Sequence, residues 1–191
     1  MPDKDYVGRE PLSLLTEAIG LVRTKIDQRH SDCHAFISTY GFQSAGVWWL
    51  EHMSGALSQM TVTVLFGIVE GASREHLKSF NASFEALYSW EEICHKFDET
   101  FHCQLHKLES YTVVERVHRL ANYAKHGGHR ALNNLAKAWP LCAAIVNDPE
   151  RGKSQMWAGL PIEKLIAEVD RFLAALQHFV DGDGPTGPRG A

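Results

Sequence analysis

The chain contains no C-x-x-C pair, no G-x-x-x-x-G-K phosphate loop and no G-x-S-x-G elbow. These absences remove zinc ribbons and thioredoxin-type redox centres, mononucleotide-binding loops and α/β-hydrolase chemistry in turn. Cysteine is sparse: Cys33, Cys94, Cys103 and Cys142 lie scattered through apolar helical stretches. That is the pattern of reduced, partly buried thiols. Positive charge is not in excess. The net charge is -4, so the broad basic footprint of a general nucleic-acid binder is missing. Only a local basic patch, or a partner that supplies one, can then serve RNA. Long apolar runs are missing too. The most apolar segment, Met60 to Val69, is shorter than a bilayer and is bracketed by Gln59 and Glu70. The first residues, MPDKDYVGREP, are charged and polar, unlike a secretory signal. The expectation is a cytoplasmic chain without a membrane partner.

What is present is a core. The 191 residues are 45% hydrophobic, enough for one domain, and no interior linker divides them. Leu12, Leu15, Ile19, Val22 and Ile26 repeat at three and four residues, which predicts a first helix from Pro11 to about Arg29. A second helical region is expected from about Asp32 to Glu70, with Gly41, Gly46 and Gly55 as places to bend or to admit a neighbour. Within it, TVTV at 61–64 has strand propensity as the competing reading. SREHLKSF reads as a short separate segment. A long helix is expected over 82–109, with Trp90, Ile93, Phe97, Phe101, Leu105 and Leu108 as its stripe. Thr112 and Glu115 read as a capping box opening a helix that stops at Gly127-Gly128. A further helix covers Arg130 to Ala138 and meets Pro140, and NDPERGKSQ reads as a loop. A last helix covers about Ile162 to Val180, with an eight-residue apolar stripe. The expected fold is all-α, a bundle of four to five main helices over residues 1–180, with a disordered Gly/Pro-rich tail at 181–191.

The segment RLANYAKHGGH, residues 119–129, concentrates the candidate chemistry. At about 100° per residue, Val113, Val117, Leu120, Ala121 and Ala124 share a core face, with Val114 at its margin. Glu115, Arg119, Asn122 and His126 fall opposite, with Tyr123 at the edge. Arg119 and His126 are two turns apart, about 10 Å along the axis, so long side chains can converge on one small group between them. Arginine holds phosphate through forked donors, and histidine moves protons near neutral pH. This is the equipment of RNA cleavage without a metal or other cofactor: a base for the 2′-hydroxyl and a cation for the phosphorane. Asn122 is placed to bond the phosphate or fix the imidazole, and Tyr123 to stack on a base. His129 and Arg130, after the glycines, can assist. The plain alternative is the polar face that any amphipathic helix carries.

An all-α bundle with Arg119, Asn122 and His126 in RLANYAKH, an R-x6-H pattern, resembles the HEPN superfamily. The resemblance implies a small helical domain, often a homodimer, with the Arg and His of two protomers meeting in one cleft. It implies an RNA endonuclease of a toxin–antitoxin or phage-defence system. The commonest form of the motif is R-N-x-x-x-H; Ala121 stands at its arginine position, and Arg119 lies two residues earlier on the same face. Arg116 is another donor, about 80° around from His126. The same resemblance admits a second class of function, a non-catalytic helical interaction module that binds a partner protein or neutralises one. The acidic balance and Ala121 favour that class.

Eleven histidines are present. On a continuous 82–109 helix, His95, Glu99, His102 and His106 form one line opposite the apolar stripe, a candidate surface metal site or histidine-rich interface. The bland reading is a solvated face. Glu92-x-x-His95, Glu99-x-x-His102 and Glu115-x-x-His118 match the spacing of di-iron bundles but not their inward facing. His30 and His34 pair near Cys33. Trp48 and Trp49 are adjacent and point in different directions, so one can serve the core and the other an interface.

Overall fold

The computed structural model describes residues 6–40, 45–86, 89–139, 142, 156–157 and 159–182. The NDPERGKSQ segment, Gly41, Pro140, the side chain of Trp48 and the tail from residue 183 lie outside the described residues. Among the described residues the chain is helical throughout, with no strand. The α-helices are α1 (Arg9–Tyr40), α2 (Ala45–Phe80), α3 (Trp90–Phe101), α4 (Tyr111–His126), α5 (Gly128–Ala138) and α6 (Ile162–Val180). Short 3₁₀ turns stand at Ala82–Ala86 and Leu105–Lys107.

The last helix follows its sequence pattern residue by residue. Ile162, Leu165, Ile166, Val169, Phe172, Leu173, Leu176 and Phe179 are all buried. α2 is the hub, packing on α1, α3, α4 and α6, while α4 also meets α5 and α6. The core joins Leu65, Phe66 and Val69 of α2 to Ile93 and Phe97 of α3, Val114, Val117 and Leu120 of α4, and Phe172 of α6.

α1 runs past the expected stop at Arg29. Asp32, where the second helical region was expected to begin, lies inside α1: its carboxylate accepts from Gln28 Nε2 at 3.1 Å and pairs with Arg29, so it braces the helix. In α2 the TVTV segment is helical. Thr61 and Thr63 place their hydroxyls on the carbonyls of Leu57 and Gln59 at 2.7 and 2.9 Å, which satisfies them inside a helix. SREHLKSF is the end of α2, where His76 and Leu77 are buried.

The expected 82–109 helix is broken. Ser89 and Glu92 form a reciprocal capping box that starts α3: the Glu92 N–H donates to Ser89 Oγ at 3.1 Å, and the Ser89 N–H donates to Glu92 Oε2 at 2.9 Å. The helix ends at His102, in the left-handed region at φ 53°, with the Cys103 N–H on the Phe97 carbonyl. The His102 N–H also donates to the Phe97 carbonyl, so both groups close the helix on one acceptor and the left-handed residue stops it. The reason lies in the side chains: Phe101, Cys103 and Leu105 are all buried, at a spacing of two that no helix can turn to one side.

The capping box expected at Thr112 and Glu115 does not form. Thr112 lies inside α4, whose cap is Ser110 at φ 60°, and the Ser110 hydroxyl donates to Glu168 of α6 at 2.6 Å. This bond ties the start of α4 to α6.

Candidate functional site

α4 is squeezed between α2, α5 and α6, so its buried arc is wider than an amphipathic wheel predicts. Val114, Val117, Leu120 and Ala121 are inside, and so are His118 and Tyr123; Val113 and Ala124 are only half-buried. Ala121, at the position where the HEPN motif commonly carries arginine, is fully enclosed. An arginine there would bury its charge. The remaining polar strip is narrow and carries Arg119, Asn122 and His126.

Gly127 turns the chain at the end of this strip. Its φ of 58° and the 77° of Gly128 are left-handed values that glycine adopts without a Cβ penalty. Its N–H closes α4 on the Tyr123 carbonyl at 2.9 Å. The turn folds α5 back beside α4, where Leu132 and Leu135 are buried. The polar sides of the two helices then bound a groove of about 320 Å³. Its lining is Arg119, Asn122 and His126 from α4, Gly127 at the bend, and Arg130, Ala131 and Asn134 from α5. Two guanidiniums, two amides and one imidazole thus converge, and among the described residues no carboxylate belongs to the lining.

The neighbours of these groups set their orientation. Arg119 pairs with Glu115 one turn earlier at 3.4 Å, an exposed geometry of small energetic weight. Asn122 Nδ2 lies 2.8 Å from His118 Nε2. The His118 ring is stacked on Phe66, with centroids 4.6 Å apart and planes 21° apart, and is buried. Burial pushes its pKa below the ordinary histidine value, with Arg119 and Lys125 acting in the same direction and Glu91 and Glu115 against it. A neutral imidazole offers Nε2 as an acceptor, which holds the Asn122 amide with its N–H on His118 and leaves its carbonyl outward.

Other expected participants stand elsewhere. Tyr123 is not at the edge of the polar face: it is buried, its ring parallel to Trp157 within 8° at 6.1 Å. It is therefore a wall of the core and no platform for a base. His129 is exposed on the first turn of α5 and is not part of the groove lining, whereas Arg130 is. Arg116 lies over the Trp139 ring at 5.6 Å. Asn134 had no place in the sequence reading. Its signal was there: Arg130 and Asn134 are one turn apart and face the same way once a glycine bend brings α5 back.

The histidine line is dissolved by the break after Phe101. His95 and Glu99 stay on α3 and pair at 3.0 Å; His102 sits beyond its end and His106 in the 3₁₀ turn. Among the described residues no three His, Cys, Asp or Glu side chains stand close enough to hold a metal ion. The His30 and His34 rings lie 4.8 Å apart. All four cysteines are free, and burial pushes the Cys94, Cys103 and Cys142 thiols up to about 11, away from nucleophilic use.

No protein-family profile, curated protein or solved structure matches the chain.

Proposed function

We propose that the groove between α4 and α5 binds a phosphodiester and that the protein is a HEPN-like, metal-independent RNA endonuclease of a toxin–antitoxin or phage-defence system. The observation that carries this reading is the convergence of Arg119, Asn122, His126, Arg130 and Asn134 on one open groove. An acidic chain has no general reason to gather two arginines with no carboxylate in the lining. A local cationic cleft focuses attraction where a net charge of -4 does not.

The chemistry follows from the groups. His126 takes the proton of the 2′-hydroxyl. The 2′-oxygen attacks phosphorus, the bond to the 5′-oxygen breaks, and that oxygen leaves with a proton from water or from the imidazolium. The products are a 2′,3′-cyclic phosphate and a 5′-hydroxyl. Arg119 and Arg130 hold the non-bridging oxygens as charge develops, and Asn134 adds a neutral donor. All five side chains belong to one chain; a homodimer of the HEPN kind would set two such grooves side by side. The acidic balance of the chain and the enclosed Ala121 favour the second class, a non-catalytic interaction module that binds a partner protein.

The test is cleavage of a labelled structured RNA by the purified protein in excess EDTA, with His126→Ala and Arg119→Ala beside it. Catalysis requires a 2′,3′-cyclic end, and each substitution should lower the rate by 100-fold or more, the order general acid–base groups supply. Intact RNA with the wild type, or equal cutting by His126→Ala, removes the nuclease reading.

A further inference from the structure

One face of α2 is left uncovered by the bundle although α2 is its hub. Trp49, Met53, Met60 and Val64 are 61%, 42%, 57% and 42% exposed. At about 100° per residue they fall on a single stripe, and Ala56, Gly67 and Gly71, all exposed, fall on the same stripe within about 80°. A Cβ added at Gly67 or Gly71 would meet nothing within 4 Å among the described residues. The glycines are therefore not small because of packing in the monomer.

The order of sizes along the stripe is self-complementary. A two-fold axis through Met60, perpendicular to the helix, lays Trp49 of one copy over Gly71 of the other and Met53 over Gly67. It also lays Ala56 over Val64, and Met60 over itself. Every large side chain but the central Met60 meets a small one, and the glycines let the two helices approach closely at both ends. We propose that α2 is a homodimerisation helix, packed antiparallel on a second copy of this chain about an axis at Met60.

Charge and area agree with this occupant. From Met53 to Val69 the helix carries no Asp, Glu, Lys or Arg, so the stripe suits an apolar partner. The stripe is roughly 33 Å long and about 10 Å wide, smaller than a standard stable interface, which fits weak, concentration-dependent self-association. The competing occupant is a lipid surface, since His52–Phe80 is long and apolar enough to cross a membrane and 44% of its most apolar window is buried. An interfacial helix, however, carries an excess of Lys and Arg along its apolar face, whereas Arg74 and Lys78 at the end of this one are matched by Glu70, paired with Arg74 at 3.2 Å, and Glu75. None of the stripe residues lines the α4–α5 groove, so the inference stands apart from the nuclease reading.

The experiment is sedimentation velocity on the full chain from 1 to 200 μM, with circular dichroism to confirm folding. The wild type should pass from monomer to dimer over this range. Met60→Glu and Met60→Lys, both at an exposed position, should each weaken dimerisation at least tenfold, because like charges meet on the axis. An equimolar mixture of the two should dimerise again, because only an axis at Met60 opposes them. A wild type monomeric throughout, a dimer indifferent to Met60→Glu, or a mixture that stays monomeric overturns the proposal. So does a monomer that co-sediments through this face with phosphatidylcholine–phosphatidylserine vesicles.

Discussion

Two histidines are held inside the bundle, and their protonation sets a slope of stability against pH. His76 near the end of α2 and His118 in the middle of α4 are 5% and 7% exposed. Burial is the largest influence on both and lowers both pKa values; Asp181 and Glu75 partly oppose it at His76. The unfolded chain titrates these groups at about 6.5. Below that pH the unfolded state binds protons that the folded state refuses, so stability falls as pH falls and is recovered as pH rises above the unfolded value. For a histidine whose folded pKa lies below the window, moving from pH 7.5 to 5.5 costs at most about 1.4 kcal/mol, and the pair about 3 kcal/mol. Urea denaturation followed by circular dichroism at pH 7.5, 6.5 and 5.5 measures this. His76→Gln/His118→Gln should be less stable at pH 7.5 yet flatter across the series, because the other nine histidines cancel in the comparison. Parallel curves for wild type and double variant, or a wild type that gains stability toward pH 5.5, would refute the reasoning.

Ser89→Ala should destabilise by about 1 kcal/mol in the same denaturation assay, because it leaves α3 without its side-chain cap. Gly127→Ala should cost about 1–3 kcal/mol, because φ 58° with ψ −155° is a backbone region essentially reserved to glycine, seen as a lower thermal midpoint. Phe172→Ala, in the centre of α6, should cost about 3–5 kcal/mol through lost burial and the cavity left behind. Asn134→Ala should weaken inorganic phosphate binding, read by calorimetry, while His129→Ala, outside the groove lining, should leave it unchanged.

Where one helix face meets one core, the pattern of side chains was enough to read the structure. α6 is the clear case: eight apolar residues at helical spacing, eight buried side chains. The all-α class and the polar strip of Arg119, Asn122 and His126 were legible for the same reason, since periodicity reports which side of a helix faces water. Local chemistry was less decisive where two residues compete for one role. Asp32 and Thr112 both stand where a helix was expected to open. The first is used inside α1, and the second yields to Ser110, whose hydroxyl is claimed by Glu168 on a distant helix.

The tertiary structure decided what depends on more than one helix. Burial on three sides of α4 drew His118 and Tyr123 inward, which a wheel drawn for one face cannot show. The demand to bury Phe101, Cys103 and Leu105 together ended α3 and dispersed the histidine line. The glycine bend at Gly127 joined Arg130 and Asn134 to the α4 strip, and so turned a polar face into a groove. Sequence alone thus determined the helical class and the apolar stripe of α6, because those follow from contacts within a few residues. Only the packing determined which faces meet, because that rests on side chains far apart in the chain competing for the same interior.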